Sequence, residues 1–346
     1  MKKYLAFLLA VLTVLLLTAC GGEAAPAEVP TAEGTAKFTV GVCLPGMDPD
    51  WAAQGEKLAQ IPDCNVLVEY AAGDVQLQQM QMHTLISRPV DCLVVAAVDS
   101  IALNQELKEA KAAGIPVVAY DRMLTGTDAA VACVAEDARE KGRMAAKYIV
   151  EKEQLDAAAS PVYIELFMGA PEDHNALLFY EGVMEVLSPY LQKGVLTTKT
   201  GRVTFEDTCV FGGSEDSAWD SFMDYLSEYY SETAPDIICA ASDAIAEGCI
   251  RALESFSYEP GEGWPLITGA GMTDNGVVRI ESQQLALTFR TDTQLLMDTC
   301  IRVVQDVLAG NPVAGDTTRN NGMAEVPCYF ITPEAIDGAN YQNYIA

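Results

Sequence analysis

Two charged residues stand where an apolar strand should end. Residues 113–123 read AGIPVVAYDRM, so the small and β-branched run from Val117 to Tyr120 passes straight into Asp121 and Arg122. A guanidinium presents five N–H donors in a rigid fork, and a carboxylate presents two acceptor oxygens. Side by side at a strand mouth they suit a ligand with several hydroxyl groups, each able to donate and accept a hydrogen bond. As a solvated surface ion pair they would contribute little. Asp243, just after the apolar DIICAAS, occupies a comparable place, where it can meet a ligand or simply cap the helix behind it.

Catalytic and metal chemistry find little support. The chain has two histidines, His83 and His174, and neither has a ligand-spaced partner, so neither metal nor cofactor is expected. His83 reads as a helix-surface residue. No Gly-x-Ser-x-Gly, His-Glu-x-x-His or phosphate-binding glycine loop occurs, and carboxylate pairs are too common in this chain to single out a glycosidase, so an enzyme is not expected. The cysteines beyond Cys20 form no Cys-x-x-Cys pair. They sit mostly in apolar runs such as DCLVVAA, which fits small buried hydrophobes better than a disulfide framework.

The elements that must position these residues alternate regularly. KFTVGVCL (37–44), NVLVEYAA (65–72), DCLVVAAV (91–98) and IPVVAYD (115–121) read as buried strands, separated by amphipathic helices. After AVACVAED (130–137) the pattern repeats, with strands at PVYIELFM, near 202–210, at DIICAAS and at PLITGAG. The fold class is therefore α/β, with two doubly wound parallel-sheet lobes in series. In such sheets ligands bind beyond the carboxyl ends of the strands. The 346 residues carry 49 acidic against 21 basic side chains, a formal charge of −28, which repels nucleic acid and keeps the surface soluble.

The opening segment addresses the chain to export. MKKYLAFLLAVLTVLLLTAC has two lysines, an apolar run from Tyr4 to Leu17 and small residues before Cys20, the layout of a secretory signal. Leu17-Thr18-Ala19-Cys20 resembles the bacterial lipobox, which implies a signal peptide over 1–20, lipidation of Cys20 and a membrane anchor outside the cytoplasm. Residues 21–36 read as a flexible Gly/Ala/Pro/Glu tether.

From about residue 37 to 344 the sequence resembles the type I periplasmic binding proteins, and among them the multiple-monosaccharide and xylose receptors of ABC importers. The resemblance is carried by VVAAVDSIALNQELKEAKAAGIPVVAYDRM, IELFMGAPEDHNALLFYEGVMEVLSPYLQKGVL, SDAIAEGCIRAL, LITGAG and VPCYFITPEAID. It implies two lobes joined by a three-crossover hinge, with crossings near 130–137, 269–273 and 288–294. The first lobe would then hold 37–133 plus about 272–290, and the second 134–271 plus about 291–346. It further implies a monomer that captures a monosaccharide or similar polyol and hands it to permease and ATPase subunits. A sensory lipoprotein presenting its ligand to a signalling receptor is the other reading. Matched by motif, the ligand contacts would be Trp51 as the stacking aromatic, Asp121, Arg122, Asp173, Asn175 and Asp243, with Arg290, taken over Thr291, at the place of a late lysine. The alternative for Trp51, less favoured, is a helix-start residue packed on its lobe. Two departures stand out: Thr268-Gly269-Ala270-Gly271 lacks the polar pair of the family's Thr-Gly-Gln-Asp, and FGGSE lacks its second cleft tryptophan, leaving Phe211 as the nearest aromatic. If Cys20 carries the lipid, Cys20→Ser releases the protein from the membrane fraction, and continued sedimentation of that variant with membranes would refute lipidation.

Overall fold

The computed structural model describes residues 36–345, so the expected signal peptide, Cys20 and nearly all of the expected tether lie outside it. None of the described helices is long and apolar enough to cross a membrane. The chain opens with β1 (Phe38–Leu44), α1 (Pro49–Leu58), β2 (Cys64–Tyr70), α2 (Val75–Ile86), β3 (Cys92–Val95), α3 (Asn104–Ala112), β4 (Val117–Asp121) and β5 (Ala130–Glu136). It continues through α4 (Ala138–Lys152), β6 (Val162–Phe167), α5 (His174–Gln192), β7 (Leu196–Thr197), α6 (Phe205–Thr208), α7 (Glu215–Tyr229), β8 (Ile237–Ala240), α8 (Asp243–Ser255), β9 (Leu266–Thr268), α9 (Asp274–Glu281) and β10 (Leu287–Arg290). The last elements are α10 (Thr293–Ala309), β11 (Thr317–Asn320), β12 (Glu325–Ile331) and β13 (Glu334–Asp337).

Two sheets result, a seven-stranded one in the order β11-β12-β5-β4-β3-β1-β2 and a six-stranded one in the order β13-β10-β9-β8-β6-β7. Both are parallel except at one edge, where β11 runs against β12 and β13 against β10. Each is covered on both faces, as the uninterrupted apolar strands require. In the first lobe Val40, Val42 and Leu44 face α1 and α10, while Cys43, Leu93 and Val95 face α2 and α3. In the second, Ile164 and Leu166 face α4 and α5, while Ile238 and Ala240 face α7 and α8.

The two expected lobes are present, but the chain is shared between them differently. β10 pairs with β9, so residues 272–290 belong to the second lobe rather than the first. α10 packs on the first sheet through Leu296, Cys300 and Val303, and β12 pairs with β5, so most of 291–346 returns to the first lobe. The crossings therefore fall at 136–138, 290–293 and 331–334, and Gly269–Thr273 is a loop inside the second lobe. Nor is 202–210 a strand. It holds the single-turn α6 and one bridge from Cys209 to Met168, and the edge strand is the short β7. Long-range pairing decides these points, and a local pattern cannot register it.

The helix pair that opens the second lobe is fixed by two glycines. A methyl group at Gly142 of α4 would lie 2.0 Å from the Phe179 carbonyl oxygen, and one at Gly182 of α5 would lie 2.0 Å from that of Arg139. The backbones are in contact at both points, so neither position has room for a side chain. Gly182→Ala is expected to force the helices apart and cost about 1–3 kcal/mol. Calorimetric unfolding checks this, and an unchanged midpoint would mean that the helices separate freely.

Candidate ligand-binding site

Asp121 closes β4 in a left-handed backbone conformation, φ 65°. Few side chains accept that region, and asparagine and aspartate are among them. Such strain tends to persist where the surroundings impose it, often at a functional site. Behind it Tyr120 is fully buried, and its hydroxyl donates to Gln54 Oε1 at 2.6 Å, fixing the strand end from the apolar side. The turn lets Arg122 fold back, so that its Nε donates to Asp121 Oδ2 at 3.3 Å. Both side chains are largely shielded, 24 % exposed for Asp121 and 18 % for Arg122.

The second lobe meets this pair at the start of α5. Asp173 caps the helix by accepting from the Asn175 backbone N–H at 2.9 Å. Its carboxylate also approaches Arg122, with Nη1 3.9 Å from Oδ1. Asn175 donates through Nδ2 to the Asp121 carbonyl at 3.3 Å. Asp121, Arg122, Asp173 and Asn175 thus stand together across the boundary between the lobes. Burial pushes the Asp121 carboxyl above its ordinary range, with Arg122 opposing and Asp173 adding to the shift. Burial would draw Arg122 down, but the carboxylates of Asp173 and Asp121 outweigh it and hold the guanidinium above its usual value.

A cavity of about 350 Å³, within the usual size range of small-molecule pockets, opens beside Asp173 and Asn175, and Asp121 and Arg122 stand behind these two rather than in its lining. Its polar wall is Asp173, Asn175, Ser242, Glu136 and Lys141, with Phe179 as an apolar side and the backbones of Gly169, Gly212, Gly213 and Gly271 in between. Glu136 and Lys141 form an ion pair there, and burial raises the Glu136 carboxyl while Lys141 counters it. Reading the sequence for strand-end motifs missed both. Their signal was slight, an acid closing AVACVAED with a lysine five residues on. A larger hollow of about 980 Å³ lies at the other end of the second sheet, ahead of β6, β8 and β9, and holds none of the strand-end residues.

The remaining expected residues are placed otherwise. Trp51 is half-buried, its ring edge-on to Tyr120 with centroids 6.5 Å apart, and it does not line the cavity. Asp243 is buried beneath the wall with both oxygens engaged. Oδ1 accepts from Thr288 Oγ1 at 2.6 Å, and Oδ2 accepts from the Thr273 N–H at 2.8 Å and its hydroxyl at 3.1 Å. A side chain at Gly269 or Gly276 would collide with that carboxylate, so Asp243 shapes the 269–273 loop, whose Ala270 and Gly271 line the cavity, and the start of α9 behind it. Burial raises its carboxyl, and the Thr288 and Thr273 donors work against that shift. Arg290 faces Glu334 across the β10–β13 ladder, with Nη1 3.7 Å from Oε2, and its guanidinium lies 5.8 Å from the Tyr344 ring centre, outside the cavity. Phe211, 83 % exposed, stands at the rim next to Gly212 and Gly213.

Comparison with known proteins identifies the family and the fold. Residues 40–312 match the periplasmic binding protein domain. The chain is 30 % identical over 312 residues to the multiple sugar-binding periplasmic protein SbpA of Azospirillum brasilense, covering 88 % of this chain and 87 % of that one. It is also 30 % identical to the D-xylose-binding periplasmic protein of Escherichia coli, covering 84 % and 82 %. Among solved structures, an ABC transporter solute-binding protein from Clostridium phytofermentans with bound β-D-glucose aligns with a TM-score of 0.83 at 32 % identity, covering 89 % of this chain and 96 % of that one. The two winged sheets, the strand-end polar cluster between them and these similarities together make the chain a member of the periplasmic binding protein family in its two-lobed type I form, a solute-binding protein and not an enzyme.

Proposed function

We propose that the chain is a lipid-anchored extracytoplasmic receptor that captures a neutral monosaccharide or similar polyol between its lobes and delivers it to an ABC importer. The observation that carries this reading is the meeting of Asp121 and Arg122 from one lobe with Asp173 and Asn175 from the other. A sugar hydroxyl needs a donor and an acceptor together, and that cluster offers both from two directions. A ligand bridging the lobes would stabilise the closed arrangement by its differential affinity for it. The relatives named for multiple sugars and D-xylose, and the glucose-bound structure, support a sugar over other polyols. Neutrality follows from charge. Asp121, Glu136, Asp173 and Asp243 outnumber Arg122 and Lys141 around the cleft, which disfavours uronates and sugar phosphates. In this reading Trp51 supplies an apolar face beside the ligand, Asp243 positions the 269–273 loop, and Arg290 is a ladder residue away from the ligand.

The test is thermal unfolding of the full chain against aldoses, ketoses, polyols, nucleosides and uronates. A ligand at a thousandfold excess over its Kd stabilises by about 4 kcal/mol and should shift the midpoint by several degrees. A neutral sugar is expected to shift it and uronates are not; a shift with a nucleoside alone would redirect the reading. Arg122→Ala should abolish the sugar-induced shift, and Asp121→Asn, which tolerates the left-handed backbone, should fold normally yet bind at least tenfold more weakly, since about 1.4 kcal/mol is tenfold. Normal affinity in either variant would remove that residue from the site. Trp51→Ala should weaken pyranose binding and erase any ligand-induced change in tryptophan fluorescence, while unchanged affinity would leave it a packing residue. The raised Asp121 carboxyl also sets a pH dependence. If the sugar binds the ionised form, affinity falls as acidification protonates Asp121, beginning above the ordinary aspartate value of about 3.9. Calorimetric titration across the acid range checks this, and a flat profile would contradict it.

A further inference from the structure

We propose that Glu136 and Lys141 form a second ligand-binding wall, which engages two adjacent hydroxyls of the bound sugar, a vicinal diol, from the hinge side of the cavity. The proposal rests on the sugar reading above and gives direct ligand contact to two residues that reading uses only for their charge. Glu136 is the last residue of β5, in register with Ile331, so it stands where two of the three crossings leave the first lobe. Lys141 lies early in α4 of the second lobe, and the ion pair between them spans the hinge. Both side chains are mostly shielded, at 10 % and 17 % exposure, and both line the cavity.

Their bonding capacity is not used up. An ammonium carries three donors, and among the described contacts the Lys141 Nζ has one acceptor, Glu136 Oε1. Glu136 Oε2 has no protein partner among the described residues and is not a sealed, unsatisfied atom. The pair therefore offers two spare donors beside one spare acceptor, the pattern that neighbouring hydroxyls match, one donating to the carboxylate and the next accepting from the ammonium. The same cavity is lined at 270 and 271 by alanine and glycine, which bring no polar side-chain atom, so the hinge pair supplies polarity that this wall lacks. The charge of Lys141 also reaches Asp121 in one lobe and Asp243 in the other, tempering the upward pull of burial on each carboxyl.

The experiment is calorimetric titration of the full-length chain with D-glucose, D-xylose, D-galactose, L-arabinose and D-ribose, then with monodeoxy analogues of the sugar that binds. Lys141→Met alone would strand a buried carboxylate, so the informative variant is the double one, Glu136→Gln/Lys141→Met, with folding checked by circular dichroism. It is expected to fold, to bind about tenfold or more weakly, and to lose the wild-type penalty against at least one monodeoxy sugar. A purely structural hinge pair would leave that deoxy-sugar profile unchanged, and an unchanged profile or wild-type affinity overturns the proposal. Should the double variant not fold, Lys141→Arg decides. It keeps the ion pair but displaces the donors, so it is expected to weaken binding tenfold, and normal affinity overturns the proposal. Wild-type protein that binds none of the five sugars overturns the sugar reading itself, and this assignment with it.

Discussion

Arg122 cannot be enclosed in a narrowing cleft unless carboxylates meet it there, because an unpaired buried guanidinium would cost far more than a fold of this size can spare. Much of the geometry follows from that requirement. Asp121 must turn back beside it, which calls for a left-handed residue at the end of β4 and a buried Tyr120 to hold the strand behind. Asp173 must approach from the other lobe, which the start of α5 provides. The α4–α5 pair must then stand close enough to bring α5 to the boundary, and the contacts of Gly142 with the Phe179 carbonyl and of Gly182 with the Arg139 carbonyl set that distance.

The cleft is unequally bound along its depth. At the hinge the Glu136–Lys141 pair is in direct contact, whereas farther out the lobes touch through the Asn175 Nδ2 hydrogen bond of 3.3 Å to the Asp121 carbonyl and a charge pair at 3.9 Å. Long contacts of this kind hold a closed state weakly. A ligand that completes them shifts the equilibrium by what it adds, and a ligand indifferent to the second lobe shifts nothing. The overall charge of −28 works in the same direction, since the field around the protein disfavours acidic solutes before they reach the cleft.

Much of this was legible in the chain. The unbroken apolar runs of β1, β3 and β4 announce buried parallel strands, and a charged pair at the end of one of them announces a site. Asp173 and Asn175 were visible through the family resemblance of GAPEDHN, since position alone does not single them out. What stayed hidden depends on distant pairing. Nothing local tells that β10 adds to β9, that α10 returns to the first sheet, or that Arg290 is consumed by Glu334 across a ladder. Val203, Phe205 and Val210 look like a strand but have only one bridge to pair with. Asp243 has the right place and the wrong availability, because Thr273 and Thr288 occupy both its oxygens. Glu136 and Lys141, five residues apart at a helix start, look like ordinary surface charges until the hinge folds them into the wall.

The central claim is that one ligand is held from both lobes at once. A crystal structure of the chain with the sugar that stabilises it most tests this directly. The account predicts ligand oxygens within about 3.2 Å of Arg122 in the first lobe and of Asn175 in the second, in the same complex. A sugar bound to one lobe only, or seated away from the end of β4, would contradict it.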